Sequence, residues 1–352
     1  MKESHNSDVS INIMSAVVLC DFLISSWWYQ PELRMGDAKY YVDASAFRIG
    51  VFMSSGWVFS FTRLDDSKCT FLIGSIGLIM WIIGHVLFAT MGSYENHNTM
   101  AFIDSLLVTA GGSIFYWYAR TSSNIRQDLL SAMYLLVAMP TDMMTSSKFV
   151  LVASICPLLL YGMSSLKNNN TRGQHEETTL FGKKTSILVG INVVCAGYCG
   201  YTAFLCLLPY MTHHSFDKTS VYTVSTLTAF GYVCGHLVSY KFGRIVSILM
   251  RIVQTVVLAV WAATTPTMVS EMGAIGFFTG FAMSDVLYPY LSPSPVDLVF
   301  YMTCITPGSW LMVHTFREFT NFGAIDFHGV LSVGAGVSSA SIVVTAALIW
   351  CS

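Results

Sequence analysis

LKNNNTRGQHEETTLFGKK, Leu166–Lys184, is a polar linker set between two long blocks of apolar sequence. Six apolar stretches precede it and six follow, each close to the roughly 20 residues that a helix needs to cross a bilayer. By number the spans fall at 11–29, 44–62, 69–91, 101–119, 128–146 and 148–165 before the linker. After it they fall at 185–210, 220–240, 244–264, 270–290, 296–316 and 327–350, the fifth and the twelfth being the least clearly marked. Charged residues make up 11% of the chain, against about 25% in soluble domains. The apolar runs are continuous rather than alternating, which excludes a β-barrel. The expected fold class is therefore an all-α polytopic membrane protein with about 12 helices (11–12) in a 6+6 or 6+5 transporter-like bundle. Its expected divisions are an N-terminal half at 1–165, a linker at 166–184 and a C-terminal half at 185–352.

Loop charge sets the expected orientation, because cytoplasmic loops retain Lys and Arg. With the N-terminus in the cytosol, that side holds Lys2, Arg63, Lys68, Arg120, Arg126, Lys167, Arg172, Lys183, Lys184, Lys241 and Arg244. The opposite side holds only Arg34, Lys39, Lys148, Lys218 and Arg317. The sequon Asn169-Asn170-Thr171 then lies in the cytosolic linker and stays unmodified. The polar residues Met1–Ser10 lead into an apolar segment without a small-residue cleavage site, so the first span reads as an anchor rather than a removable signal. The net charge of −2 offers nothing to nucleic acid.

Five charges remain inside the spans: Asp21, Arg48, Asp104, Arg251 and Asp285. Each costs about 2.5–3.5 kcal/mol at mid-bilayer unless paired or hydrated. Arg48 and Asp104 stand near span ends, where they either reach the interface or close pairs across a central cavity. Arg251 and Asp285 lie deeper, and a polar cavity or an Arg–Asp bridge is expected there. Gly111, Gly112 and Ser113 bring small residues to the fourth span, while Pro289 and Pro307 interrupt the backbone of the tenth and eleventh. Trp81, Trp117, Tyr118 and Tyr288 are available to stack a base or sugar. Cys195 and Cys199 share a helix face, where close packing explains them. His213-His214 reads as an exoplasmic loop pair. No phosphate loop, metal-binding His pair or nucleophile turn is present, so no enzyme, cofactor or metal is expected.

Several of these fragments resemble the equilibrative nucleoside transporter family. Phe281-Ala282-Met283-Ser284-Asp285-Val286-Leu287-Tyr288 is similar to its Phe-Ala-x-Ser-Asn-Gly-Tyr stretch, with Asp285 in place of Asn. Ile103-Asp104-Ser105 and Gly112-Ser113-Ile114-Phe115 resemble its fourth span, again with Asp for Asn at 104. Ser123-Asn124-Ile125-Arg126-Gln127, the membrane Arg of Leu249-Met250-Arg251-Ile252-Val253, and Pro209 at the end of the seventh span follow in order. The eighth span departs: Phe230-Gly231-Tyr232-Val233-Cys234-Gly235-His236 lacks the family's Asp and Arg, leaving His236 as a donor. A second resemblance is to gammaherpesvirus-type multispan envelope proteins, through Phe47-Arg48-Ile49-Gly50, Gly231 to Gly235-His236, and Val299-Phe300-Tyr301-Met302-Thr303-Cys304.

The viral resemblance implies a virion or host-cell membrane protein that aids attachment or cell-to-cell spread beside a single-span viral glycoprotein. The transporter resemblance implies a facilitative carrier of nucleosides or another small polar solute, working by alternating access. The first is the leading expectation and the second its alternative. The expected solute path comprises Asp104, Ser113, Gln127, His236, Arg251, Ser284 and Asp285, with Gly111, Gly112, Pro289 and Pro307 as hinges. The bilayer itself is the expected partner of every span.

Overall fold

The computed structural model describes residues 38–63, 67–91, 103–114, 186–242, 245–287, 295–321 and 324–351. They form α1 (Ala38–Arg63), α2 (Ser67–Met91), a π-helical segment (Ile103–Thr109) continued as α-helix over 110–114, α3 (Ser186–His213) and α4 (Lys218–Phe242). Then come α5 (Ile245–Ala263), α6 (Val269–Leu287), α7 (Pro295–Glu318), a hairpin of β1 (Thr320–Asn321) and β2 (Ala324–Ile325), and α8 (Phe327–Cys351). The hairpin is antiparallel, with Thr320 opposite Ile325. Three of the described helices, Ser186–His213, Val246–Ala263 and Phe327–Trp350, are long and apolar enough to cross a membrane. The last is the twelfth span of the sequence reading. The fifth and sixth spans and the linker lie outside the described residues.

Helix ends follow local chemistry. Asp217 caps α4: its carboxylate accepts the backbone N–H of Ser220 at 2.9 Å. Asp326 does the same for α8, accepting from Gly329 N–H at 3.0 Å. Glu271 reaches back to the N–H groups of Thr267 and Met268, at 3.0 and 3.1 Å, and closes the start of α6. The end of α3 is a Schellman turn, in which Phe216 N–H bonds Met211 C=O and Ser215 N–H bonds Thr212 C=O. Ser215 occupies the left-handed position of that turn, with φ of 59°.

Pro209 does not end its helix as the sequence pattern suggested. Helix α3 passes through it to His213, so His213 is a helical residue and only His214 belongs to the turn. Proline has no N–H to give the carbonyl four residues back. That carbonyl, Leu205 C=O, instead accepts the Tyr41 hydroxyl at 3.4 Å.

The chain divides into two compact units, one of Met1–Leu19 with Phe47–Glu177 and one of Cys20–Ala46 with Thr178–Ser352. Helix α1 runs unbroken across the boundary at Ala46 and Phe47. Within the second unit α4 lies along α6, α5 along α8, and α3 between α7 and α8. Glycines set the closest crossings. A β-carbon at Gly231 would strike the Phe277 carbonyl, and one at Gly308 the Val194 carbonyl. These helices touch main chain to main chain, which suits lipid, where packing rather than water exclusion drives helix association. Within the first unit the π-helical segment packs on α2 in the same manner, through Gly77, Gly84 and Gly111.

Candidate functional site

Among the described residues, one arginine is enclosed in each unit. In the first, Arg48 of α1 is 1% exposed, and its Nε donates to Thr109 Oγ1 at 3.4 Å. The expectation that Arg48 reaches the interface is thereby corrected, since the side chain turns inward. Thr109 is the last residue of the π-helical segment, and its carbonyl accepts the Ser113 hydroxyl. A π turn widens the helix locally and is concentrated at functional positions. Here it carries the hydroxyl that meets Arg48 and, at its second residue, Asp104. Ser113, Gly111 and Gly112 are buried just beyond it. Trp81 is 2% exposed and packs over Gly112, so it has no face left for a solute.

In the second unit Arg251 of α5 is likewise 1% exposed. Its Nη1 donates to Gln254 Oε1 at 3.0 Å. Thr255, one turn on, donates to the Arg251 carbonyl at 2.9 Å and lies 2.9 Å from Ser338 Oγ of α8. Cys199 of α3 approaches the same region, with its Sγ 3.6 Å from Gly334 C=O. Farther along, Thr345 of α8 donates to Asn192 Oδ1 of α3 at 3.3 Å. This polar seam joins α3, α5 and α8 from within. The interior partners Gln254, Asn192, Ser338 and Thr345 were not singled out from sequence. Polar residues spaced along apolar helices were the signal that marked them.

His236, Ser284 and Asp285 stand on the described helices α4 and α6, Asp285 two residues before the last of α6. Pro307 interrupts α7 on its exposed side. Gln127, Pro289, Trp117, Tyr118 and Tyr288 lie outside the described residues. Burial and the adjacent His213 push His214 below the usual histidine range. Among the described residues no group of three His, Cys, Asp or Glu is placed to hold a metal.

No family model matches the sequence, and no curated protein matches it. Solved structures do. A substituted form of the nucleoside transporter NupG aligns with a TM-score of 0.57 at 12% identity, over 97% of this chain and 99% of that one. FucP in its outward conformation, a Major Facilitator Superfamily transporter, aligns at 0.51 and 12%, over 96% and 99%. A variant of FucP, the E. coli fucose:proton symporter, gives 0.53 and 10%, over 97% and 98%. The fold is similar to that of these transporters.

This likeness supports an all-α, polytopic integral membrane protein with a transporter-like fold. It also corrects the leading expectation. A herpesvirus-type envelope protein acting in attachment or cell-to-cell spread, with a viral glycoprotein partner and a virion location, is replaced by a transporter fold shared along nearly the whole chain. The viral fragments have a physical explanation: Gly231, for instance, is the point where α4 meets the α6 backbone, a demand that any tightly crossed pair of membrane helices makes.

Proposed function

We propose that this protein is a carrier that moves a small polar solute, nucleoside-like or sugar-like, across a membrane by alternating access. The observation that carries the reading is the end-to-end likeness to transporters whose solutes are nucleosides and fucose. In this reading the full chain has twelve spans, six on each side of the 166–184 linker, with both ends in the cytosol, and it is not an enzyme. The path in the first unit runs past Asp104, Ser113 and the Arg48–Thr109 pair, where a buried cation meets an opened helical turn. In the second unit it is assigned to Ser284 and Asp285 of α6 and His236 of α4, and Gln127 is the remaining candidate. Arg251, enclosed among α3, α5 and α8, holds those helices in register rather than touching the solute. Gly111, Gly112, Pro289 and Pro307 give the backbone its points of bending.

Uptake of labelled adenosine, uridine and fucose into transport-deficient cells, with surface expression verified, tests this. Saturable uptake of one solute that Asp285→Ala and Arg48→Ala abolish is the expected result. Absence of uptake for all three, with protein at the surface, overturns the nucleoside or sugar assignment.

A further inference from the structure

The exposed stripes of the second unit are not chemically alike. Helix α5 turns Leu249, Ile252, Val256 and Val260 outward, each between 42% and 53% exposed, and all are aliphatic, as a lipid-facing surface requires. Helix α7 packs on α3 through Ile305 and Gly308. On its opposite side it exposes Thr303, Pro307, Trp310, Leu311 and His314, a mixed rather than wholly aliphatic stripe, and it ends in Arg317 and Glu318. Trp310 is 65% exposed. The His314 ring lies near-parallel to it, with centroids 5.8 Å apart and an interplanar angle of 10°. Glu318 stands 4.0 Å beyond His314.

On the helix's own scale these residues stand short of its end, where an aromatic belt would lie. Helix α7 has 24 residues, about 36 Å at 1.5 Å per residue, and on that scale Trp310 lies only about 5 Å from its midpoint and His314 about 11 Å. The hydrocarbon half-thickness is about 15 Å. An exposed histidine at that depth facing lipid is strongly disfavoured, so this face meets a hydrated path. At its upper end the stripe reaches Arg317, which bonds Asp43 of α1 at 2.5 Å.

We infer that the Trp310–His314 face of α7 is a solute-binding wall that takes the flat heteroaromatic ring of a nucleoside, stacked on the open indole, with the imidazole as its hydrogen-bonding neighbour. The inference rests on the carrier reading and narrows its solute class. A planar base has the face that an indole binds, and stacking of bases on aromatic side chains tolerates different bases.

The test combines accessibility with uptake. Trp310→Cys, His314→Cys and Val256→Cys are made singly in the full chain. Each is treated with a charged, membrane-impermeant thiol reagent, with and without adenosine, and labelling is measured above that of the parent's nine cysteines. Positions 310 and 314 are expected to label far faster than 256 and to lose labelling when adenosine is present. In uptake, Trp310→Ala raises the half-saturating adenosine concentration about tenfold or more while Trp310→Phe stays near the parent. Labelling at 310 and 314 no faster than at 256 overturns the inference, because the face is then in lipid. Labelling that adenosine does not slow overturns it too, even if uptake of another solute upholds the carrier. Protection by adenosine without uptake leaves the binding face standing and removes the carrier reading instead. His314→Cys decides the matter alone if Trp310→Cys fails to fold.

Discussion

Gly111→Ala measures how tightly the π-helical segment is held to α2. A β-carbon at 111 would lie 2.5 Å from Trp81 N, 2.7 Å from Gly77 O and 2.8 Å from Met80 Cβ. Two of those atoms are main chain and cannot rotate away. The nearest is about 0.9 Å inside the 3.4 Å at which ordinary contact begins, so the two segments must part by that amount or bend. Overpacking of this kind costs about 1–3 kcal/mol, and the better helix propensity of Ala returns up to about 1 kcal/mol. Gly50→Ala is the matched control: it is helical, belongs to the same unit, and its β-carbon has nothing within 4 Å. That control is neutral or stabilising by up to about 1 kcal/mol. The two variants should differ by about 2 kcal/mol, or about 5 °C in unfolding midpoint for a unit of this size. The assay is the loss of the monodisperse peak on size-exclusion chromatography after heating in one detergent at one rate, since unfolding of such proteins is kinetic. A Gly111→Ala midpoint equal to or above that of Gly50→Ala would refute the backbone contact.

Ser215→Gly relieves the left-handed residue of the α3–α4 turn and should stabilise by about 1 kcal/mol; an unchanged or lower melting midpoint contradicts the Schellman assignment. Hydrogen bonds from Ser220, through its side chain first and then its backbone, hold the Asp217 carboxyl below the usual carboxylate range. A depressed folded pKa means stability present above the unfolded value and lost as pH falls through the folded one. Asp217→Ala should therefore melt lower than the parent at pH 7, with the gap closing below about pH 4, and a gap independent of pH speaks against it. Asp43 and Arg317 are 45% and 56% exposed, so breaking their pair should cost at most about 1 kcal/mol; a loss several times larger in the melting of Arg317→Ala shows that the pair is worth more than its exposure implies. Arg251→Met replaces a buried charge with an apolar chain of similar reach, often tolerated in folded interiors. Retained uptake fits a register-holding role, whereas a folded but inactive Arg251→Met puts Arg251 on the path.

Much of the architecture was legible. Residues 44–62, 220–240 and 327–350 read as spans, and α1, α4 and α8 cover them to within a few residues except at the start of α1, which begins at Ala38. Apolar length and flanking polarity are physical requirements of the bilayer, so they survive in any single sequence. Burial direction is not written that way. Arg48 looked like an interface residue because it is close to a span end, yet helix α1 starts earlier and its rotation points Arg48 at Thr109. Pro209 looked like a terminator because a lost N–H usually ends a helix, and only a residue far away in sequence, Tyr41, shows how the orphaned carbonyl is satisfied. Trp310 was passed over for Trp81, since composition says that aromatics are present but not which face they occupy. Short fragments misled most: membrane helices draw on few residue types, so runs such as Val299–Cys304 recur without common descent.

The bonds from the start of α1 to α3 and α7 order events at the ribosome. Tyr41 has its acceptor 164 residues downstream, and Asp43 its cation 274 residues downstream. At about 5–20 residues per second, roughly 8–30 s pass before Leu205 is made and some 14–55 s before Arg317 follows. A chain that stops before Arg317 lacks the exposed pair with Asp43, yet keeps the Arg48–Thr109 bond that turns α1 inward, so the order of synthesis places the helix before its last partner is made.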